Sequence, residues 1–303
     1  MEKVLITGAS GLIGKHLTKL LLQEGYEVFH LSRTVSSSSS VKTYRWNPEE
    51  NFIDEEALLS ANHIIHLAGA SVASYWTPSK KKELMNSRVK SAELIFDFLS
   101  LRENKVKTFI SSSAVGYYGE AGDNWLHEDD PSGNDYLAEI CIYWEAAAKK
   151  FEEFSKRVVM IRIGIVLAKD GGTLPPLLLP LHLGIAPIFG NGKQYYPWIH
   201  IEDLCQIFLF AIKNESMQGA YNACVPEPVR FKELVNAIAK TAGRRKLNFP
   251  LPPFLLKLFL DGFGSSLLRS MRCSSEKIEA EGFQFRHREL EKALQEILNK
   301  HNS

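Results

Sequence analysis

This sequence has few cysteines, almost no charge imbalance and no long apolar run. Four cysteines stand at Cys141, Cys205, Cys224 and Cys273, with no CxxC pair among them. Such spacing argues against a zinc site or a disulfide framework, and predicts reduced thiols that pack as small apolar side chains. The 36 Lys and Arg against 35 Asp and Glu give a net charge of +1. This balance gives no indication of a surface that binds nucleic acid or an anionic membrane. We therefore predict a small-molecule partner.

The sequence also lacks targeting and membrane signals. No apolar run reaches about 18 residues, so no transmembrane helix is predicted. The first residues, MEKVLITGASG, enter a strand pattern at once, without the basic and long apolar regions of a signal peptide. We therefore expect a cytoplasmic protein. The serine run at 36–40 is the only low-complexity stretch, and it predicts a solvated, mobile loop after the second strand.

The first half of the chain alternates short Val- and Ile-rich runs with segments of helical period. The apolar runs lie at 3–7, 27–32, 63–69, 107–113 and 158–164. The helical segments between them lie at 11–25, 79–100 and 136–154. Strands that are apolar throughout are typical of a parallel sheet covered on both faces. The alternation predicts an α/β protein with a Rossmann-type doubly wound parallel sheet.

The composition changes after Gly164 to a region rich in Pro and Gly. Beyond it, helical patterns recur at 202–214, 231–243 and 287–300, with few strand signals. We predict a Rossmann domain over 1–165, to which about 196–223 return. The remainder, 166–195 and 224–303, is predicted to form a smaller, mostly helical domain on the substrate side.

A glycine-rich turn joins the first predicted strand to the first helix. Gly8, Gly11 and Gly14 follow a GxxGxxG spacing. At such a turn, glycines permit a tight bend and close approach of the backbone to a pyrophosphate, which the helix N-terminus attracts. The turn therefore predicts dinucleotide binding. The residues of the turn that we expect to contact the cofactor are Gly8, Ser10, Gly11, Leu12, Ile13 and Gly14.

The end of the second predicted strand bears on which dinucleotide is bound. Ser32 and Arg33 stand where many NAD-binding proteins carry an acidic residue that accepts hydrogen bonds from the adenosine ribose. A guanidinium instead suits a 2′-phosphate, so we predict a preference for NADP(H). The alternative is an ordinary surface arginine at the end of a strand.

Several longer stretches together resemble a known family. They are TGASGLIG, SRT, HLAGA, NSRVKSAELI, SSSAVGYYG, DYLAEICIYWEAAA, VVMIRIGIVL, GNGKQYYPWIHIEDL and EAEGFQFRHRELEKAL. Over nearly its whole length the chain resembles the extended branch of the short-chain dehydrogenase/reductase superfamily. More closely, it is similar to the atypical sugar-nucleotide-epimerase-like group of the NAD-dependent epimerase/dehydratase family, whose members end in a small C-terminal domain of unknown function. Many relatives dimerise through the helices that correspond to 79–100 and 136–154, so a homodimer is one possibility.

The resemblance implies further cofactor contacts. The strand that ends in LAG lines the cofactor in that superfamily, and the helix that contains NSRVKS approaches it with its early residues. Arg88 could meet a phosphate or pair with Glu83, whereas Arg162 is interpreted as structural. The further positions implied to contact the cofactor are Leu67, Ala68, Gly69, Glu83, Ser87, Arg88 and Val166.

The same resemblance implies a catalytic pair, Ser113 and Tyr136, and one departure from the family pattern. Ser113 would hydrogen-bond a substrate oxygen, and Tyr136 would act as acid or base. Ile140 occupies the position of the lysine that lowers the pKa of the tyrosine and binds the nicotinamide ribose. An unassisted phenol titrates near about 10, so Tyr136 could donate a proton but would be a poor base.

Other side chains could supply the missing group, and two functions stay open. His200, Tyr117 and Lys193 come from segments that the fold could bring to the cleft, while Glu139 and Cys141 are interpreted as helix surface and core. For Tyr195, Tyr196 and Trp198 we weigh contact with a substrate against packing between the domains, and Asp203 is expected to cap or begin a helix. The first function is an NADP-dependent oxidoreductase or epimerase that acts on an unknown hydroxyl or carbonyl compound. The second is a non-catalytic NADP(H)-sensing regulatory protein.

Overall fold

The computed structural model of the protein describes residues 1–35, 41–155, 157–244, 246–254, 256 and 262–299. The serine run at 36–40, predicted to be a mobile loop, lies outside these residues. The strands are β1 Lys3–Thr7, β2 Glu27–Ser32, β3 Lys42–Asn47, β4 Phe52–Ile53, β5 His63–His66, β6 Thr108–Ala114, β7 Trp125–Leu126, β8 Arg157–Ile163, β9 Ile165–Leu167, β10 Ile185–Phe189, β11 Tyr195–Tyr196, β12 Trp198–His200, β13 Gly219–Ala223, β14 Val229–Arg230, β15 Leu247–Leu251 and β16 Arg272–Cys273.

The described α-helices cover both faces of the main sheet and much of the C-terminal part. They are α1 Leu12–Gln23, α2 Glu55–Ser60, α3 Pro78–Ser100, α4 Tyr136–Lys149, α5 Leu174–Leu181, α6 Ile201–Lys213, α7 Phe231–Thr241, α8 Phe263–Ser266, α9 Glu276–Ala280 and α10 Leu290–Asn299. Two 3₁₀ turns follow β6 and α4, at Val115–Tyr118 and Lys150–Glu153.

The main sheet has eight strands in the order β13-β8-β6-β5-β1-β2-β3-β4. Every neighbouring pair is parallel except β3 with β4. From β1 the chain first builds outward through β2 and β3, then returns to the other side of β1 with β5. The order therefore reverses between β1 and β5, where a doubly wound sheet opens a crevice at the carboxyl ends of its strands. The predicted Rossmann-type fold is confirmed.

The sheet separates two apolar layers because successive strand residues point to opposite faces. On β1, Val4 and Ile6 pack in one layer with residues of α1 and α6. Leu5, between them, packs in the other layer with residues of α2 and α3. Burial on both faces explains why the strand sequences are apolar throughout rather than alternating.

Two predicted elements end at least three residues earlier in the structure than in the sequence pattern. The strand predicted at 63–69 ends at His66, because the backbone N–H groups of Leu67 and Ala68 donate to the Thr7 side chain. The helix predicted at 136–154 ends at Lys149 and tightens into the 3₁₀ turn Lys150–Glu153.

The Pro- and Gly-rich region holds regular structure that its composition does not suggest. Its helix α5 carries a proline in the first turn, where the missing N–H has no intrahelical role. The strand that follows, β10, pairs in parallel with β15, which lies in the part predicted to be mostly helical. The boundary between the two predicted domains stays a prediction. Within the described ranges, no helix combines the length and the apolar character needed to cross a bilayer.

Candidate functional site

The glycine turn after β1 lies at the point where the strand order reverses. Gly8 has φ +68°, and a Cβ there would lie 2.7 Å from the carbonyl oxygen of Leu67. A Cβ on Gly14 would lie 2.5 Å from the Cα of Ala9. The backbone conformation at position 8 thus requires glycine. At position 14 glycine is required because the helix packs closely on the turn. The two glycines keep the backbone tightly folded and free of side chains at this edge.

The first turn of α1 offers backbone N–H groups without a side-chain partner. Gly11 is the N-cap residue, so it supplies no side chain, and the first turn has no acidic residue. The N–H groups of Leu12, Ile13 and Gly14 precede the first intrahelical bond, which Lys15 donates to the carbonyl of Gly11. Unsatisfied N–H groups and the positive end of the helix dipole favour an anion here. This turn therefore fits a dinucleotide pyrophosphate.

A buried hydrogen-bond chain supports the loop that faces the glycine turn. The Thr7 hydroxyl accepts from the N–H groups of Leu67 and Ala68, both at 3.1 Å, so it must donate to His66 Nδ1 at 2.9 Å. His66 Nε2 then carries the proton and donates to the Ser91 hydroxyl at 3.1 Å. Burial lowers the pKa of His66 to about 4, as expected for a neutral ring in this chain.

Ser32 and Arg33 lie at the carboxyl end of β2, on the edge that carries the glycine turn. The Arg33 side chain is exposed. Ser32 Oγ accepts from the N–H of Thr34 at 3.3 Å. Among the residues that the structure describes, Arg33 has neither a carboxylate partner nor a hydrogen bond, so its guanidinium is available to a ligand. Val166, on β9, is half-buried and packs beside Leu12 against the core.

Arg88 is a buried cation that pairs with backbone carbonyls. Its guanidinium donates to the carbonyl oxygens of Leu84 at 2.9 Å and Ala70 at 3.0 Å, and stacks over the Trp144 ring. It also lies against Gly69, where a Cβ would stand 3.0 Å from its Cζ. Burial lowers the pKa of Arg88. A buried guanidinium satisfied only by neutral acceptors leaves room for an anion.

The alternative pairing of Arg88 with Glu83 is not what the structure shows. Glu83 accepts an exposed hydrogen bond from Lys80 at 3.0 Å, three residues earlier on α3. Ser87 Oγ accepts from the N–H of Ala70 at 2.9 Å and so holds the loop after β5 on α3. Of the three α3 positions implied by the resemblance, two contact the LAG loop, residues 67–70 after β5, and one lies on the exposed face.

Tyr136 begins α4, and its hydroxyl is occupied. It donates to the carbonyl oxygen of Lys81 on α3 at 2.6 Å, while the ring meets Trp76 edge-on. Burial and the charge of Glu139 raise the pKa of Tyr136, which keeps the hydroxyl protonated, so less phenolate is available to act as a base. Ile140 is 2% exposed and packs with Trp76 in an apolar cluster. Where the resemblance implies a lysine, this chain therefore has an apolar side chain that packs in the protein interior.

Ser113 is the next-to-last residue of β6, packs against α4 and belongs to a buried ionic network. Its hydroxyl donates to Glu145 Oε1 at 2.7 Å. Arg162 Nε and Nη2 each donate to the same carboxylate at 2.9 Å. Burial alone would lower the pKa of Arg162, but the bonds and the charge of Glu145 raise it above its usual value. Arg162 thus has the structural role expected for it, and it also contacts Glu145, the hydrogen-bond partner of Ser113.

The other candidates for a catalytic group differ in whether they lie on the surface or near Ser113. Glu139 and Lys193 are exposed on the surface. Cys141 is buried and donates to the carbonyl of Ala114 at 3.7 Å, and burial raises the pKa of its thiol to about 12. Tyr117 lies with its ring 3.6 Å from the Arg162 guanidinium carbon. Tyr117, through Arg162, and Cys141, which lies beside Ser113 and Glu145, both contact the network of Ser113.

His200 and Asp203 bind the C-terminal segment to the start of α6. His200 is the N-cap residue and accepts from the N–H of Glu202 through Nδ1 at 3.1 Å, while its ring stacks on His287 at 3.8 Å. Asp203 accepts from the N–H groups of Arg286 and His287 at 3.0 and 2.9 Å. The ligand atoms of His200, Glu202 and His287 lie within 4.8 Å of one another. Because the Nδ1 lone pair of His200 caps the helix, Nε2 carries the proton, and we assign the group to packing rather than to a metal.

The aromatic residues of the 195–198 segment serve packing. Trp198 is fully buried, and the Tyr196 hydroxyl donates to the carbonyl of Leu267 at 2.7 Å. Tyr195 lies between the guanidinium groups of Arg230 and Arg272.

Glu145 is the residue that our sequence reasoning missed. Its signal was present, because it shares a buried stripe of α4 with Ala138, Cys141 and Ala148. A carboxylate at a position where helical spacing predicts the core is costly unless it is paired. Such a residue predicts a buried partner even where the partner cannot be identified.

Comparison with known proteins gives matches over nearly the whole chain. The model of the NAD dependent epimerase/dehydratase family matches residues 4–224, and that of a domain of unknown function (DUF1731) matches residues 251–297. "Epimerase family protein SERP0438" of Staphylococcus epidermidis is 32% identical over 98% of this chain and 99% of its own. "Epimerase family protein SDR39U1 homolog, chloroplastic" of Arabidopsis thaliana is 31% identical over 97% of this chain and 86% of its own. A crystal structure of human epimerase family protein SDR39U1 (isoform 2) with NADPH superimposes with TM-score 0.87 and 28% identity, over 98% of this chain and 99% of that one.

Proposed function

The chain belongs to the NAD dependent epimerase/dehydratase family, and from this premise we propose that it binds NADP(H) and acts on a small hydroxyl or carbonyl compound. The observation that carries the proposal is the glycine turn. It combines a backbone that no side chain obstructs with the unsatisfied N–H groups of the first turn of α1.

The preference for NADP(H) is supported by the end of β2. There the exposed Arg33 stands where a carboxylate would select NAD(H). The human relative was crystallised with NADPH, and the alignment with it covers 98% of this chain and 99% of that one. We propose that the Gly11–Gly14 turn binds the diphosphate, that Arg33 and Ser32 bind the 2′-phosphate, and that Arg88 adds positive charge beside the LAG loop.

The chemistry of the proposed reaction rests on Ser113 and Tyr136. A bound nicotinamide would accept or supply a hydride. Tyr136 serves as proton donor rather than base, since its pKa is raised and Ile140 offers no charge to lower it. The substrate is not identified, and the homodimer and the cytoplasmic setting stay predictions.

The test is a pair of titrations of the full chain with NADPH and NADH by calorimetry. We expect tighter binding of NADPH. Arg33→Ala should weaken NADPH binding at least about tenfold more than NADH binding, corresponding to loss of a charge-assisted bidentate contact. Arg102→Ala, a surface arginine at the far end of α3, serves as control and should change neither affinity. Equal losses for both cofactors in Arg33→Ala would contradict the assignment.

The hydrogen bond that Tyr136 already makes to the carbonyl of Lys81 favours a second function. Because the Tyr136 hydroxyl is bonded to Lys81 and Ile140 is packed, a non-catalytic NADP(H)-sensing protein also suits this site. Purified protein with NADPH and carbonyl compounds, and with NADP⁺ and alcohols or nucleotide sugars, separates the two. Turnover that the Ser113→Ala variant loses supports the enzyme, whereas tight NADPH binding without turnover supports the sensor.

A further inference from the structure

The hydrogen-bond direction at Ser113 is fixed by its partner. Glu145 forms an ion pair with Arg162 through two parallel hydrogen bonds, in which Oε1 accepts from Nε and Oε2 accepts from Nη2. An ionised carboxylate only accepts hydrogen bonds. The Ser113 hydroxyl, 2.7 Å from Glu145 Oε1, must therefore be the donor.

The hydrogen bonds on the other side of Arg162 have equally fixed directions. Arg162 Nη1 donates to the Tyr118 hydroxyl and to the carbonyl of Glu128, both at 2.9 Å. Tyr118 must then donate to Asn222 Oδ1 at 2.8 Å, and Asn222 Nδ2 donates to the carbonyls of Leu126 and Ser274. Each member has one role that follows from the guanidinium, which only donates.

Burial makes the direction persistent. Ser113 is 2% exposed, Glu145 5% and Arg162 3%, so bulk water does not compete for the serine proton. Turning the hydroxyl elsewhere would leave a buried carboxylate short of a charge-assisted bond. Ser113 therefore has lone pairs to offer a ligand and no proton.

Resting on the proposed function, we propose that Glu145 makes Ser113 a hydrogen-bond acceptor, so that the site selects a ligand that presents an O–H group over the corresponding carbonyl compound. This reverses the role expected if Ser113 donated to a substrate carbonyl. Glu145 is then a positioning residue: it touches no ligand but decides which oxidation state of the ligand Ser113 can bind.

The direct test is neutron diffraction from deuterium-exchanged crystals of the full chain. We expect a deuteron on Ser113 Oγ directed at Glu145 Oε1. A deuteron on the Glu145 carboxylate, or one on Ser113 directed away from it, would overturn the proposal. This measurement needs no variant and no cofactor, so it stands apart from the NADPH titrations that test the proposed function.

The ligand preference is tested by soaking crystals grown with NADP⁺ in 2-propanol or acetone. We expect the 2-propanol oxygen, but not the acetone oxygen, within hydrogen-bond distance of Ser113 Oγ. Acetone at that position, or neither probe there, would overturn the proposal. In Glu145→Gln the amide can donate to Ser113, so acetone should now bind, while Glu139→Gln on the exposed face of α4 should keep the original preference.

Discussion

The glycine turn and the surroundings of Ser113 differ in how many of their polar groups are still available to a ligand. At the turn, the first N–H groups of α1 and the Arg33 guanidinium have no protein partner among the described residues. Around Ser113 and Tyr136, both hydroxyl protons are committed, to Glu145 and to the carbonyl of Lys81. The first region is built to bind an anion. The second is built around an internal ion pair and an apolar contact.

This contrast shows that, within one site, some polar groups can stay available to a ligand while others are satisfied by the protein itself. A buried polar group without a partner is costly in free energy, so buried hydroxyl groups that meet no charged side chain must find other partners. Here Ile140 fills the space with an apolar side chain, and Tyr136 finds a carbonyl acceptor. Backbone N–H groups at a helix terminus face solvent and need no such repair.

The largest effect is expected when the buried network of Ser113, Glu145 and Arg162 is broken. Glu145→Gln removes the carboxylate charge that forms the ion pair with the buried Arg162 guanidinium. Loss of one partner of a buried ion pair should lower the free energy of unfolding by about 3–5 kcal/mol, measured by urea denaturation. Glu291→Gln, which removes the exposed partner of Lys240, serves as control and should change little. A loss at position 145 no larger than the control's would mean that the network is not a unit.

A smaller but selective effect is expected at the open region. Gly14→Ala places a Cβ 2.5 Å from the Cα of Ala9, so the helix must move away from the turn. We expect the dissociation constant of NADPH to rise at least about 100-fold, or about 3 kcal/mol. Gly116→Ala is the control, because its Cβ would make only an ordinary contact of 3.6 Å with Leu137. Unchanged NADPH affinity in Gly14→Ala would remove the turn from the binding site.

The third prediction concerns the buried chain beneath the open loop. His66 has a folded pKa of about 4 against about 6.5 when unfolded. The unfolded chain therefore binds the proton first, and stability that is complete above pH 6.5 is lost as the pH falls toward 4. From pH 7 to pH 5 this histidine should cost about 2 kcal/mol of unfolding free energy.

The contribution of His66 can be isolated with His66→Gln, which does not titrate. Its unfolding free energy should fall less than that of the parent protein between pH 7 and pH 5, by about the same 2 kcal/mol. His182→Gln, which replaces an exposed histidine just after α5, should reproduce the parent profile. Parallel profiles for His66→Gln and the parent would show that His66 does not carry a lowered pKa.

Much of the open region could be predicted from sequence because its features are local. The glycine spacing, the strand before it and the helix after it lie within about twenty consecutive residues, and each has its own pattern. The committed region joins positions that are far apart, such as Ser113, Glu145 and Asn222. No period or motif connects them. The strand β10 was missed for the same reason, since its partner β15 is about sixty residues away.

The smallest effect is expected at Tyr136, where the comparison is sharpest. Tyr136→Phe removes one hydrogen bond to the carbonyl of Lys81 and leaves the ring packed on Trp76. The loss of unfolding free energy should be about 1 kcal/mol, and the dissociation constant of NADPH should stay within about twofold of the parent value. Tyr143→Phe, exposed on the same helix, should change neither quantity. A tenfold loss of NADPH affinity in Tyr136→Phe would show that the hydroxyl leaves Lys81 for the cofactor, and the family tyrosine would then belong with the open groups rather than the committed ones.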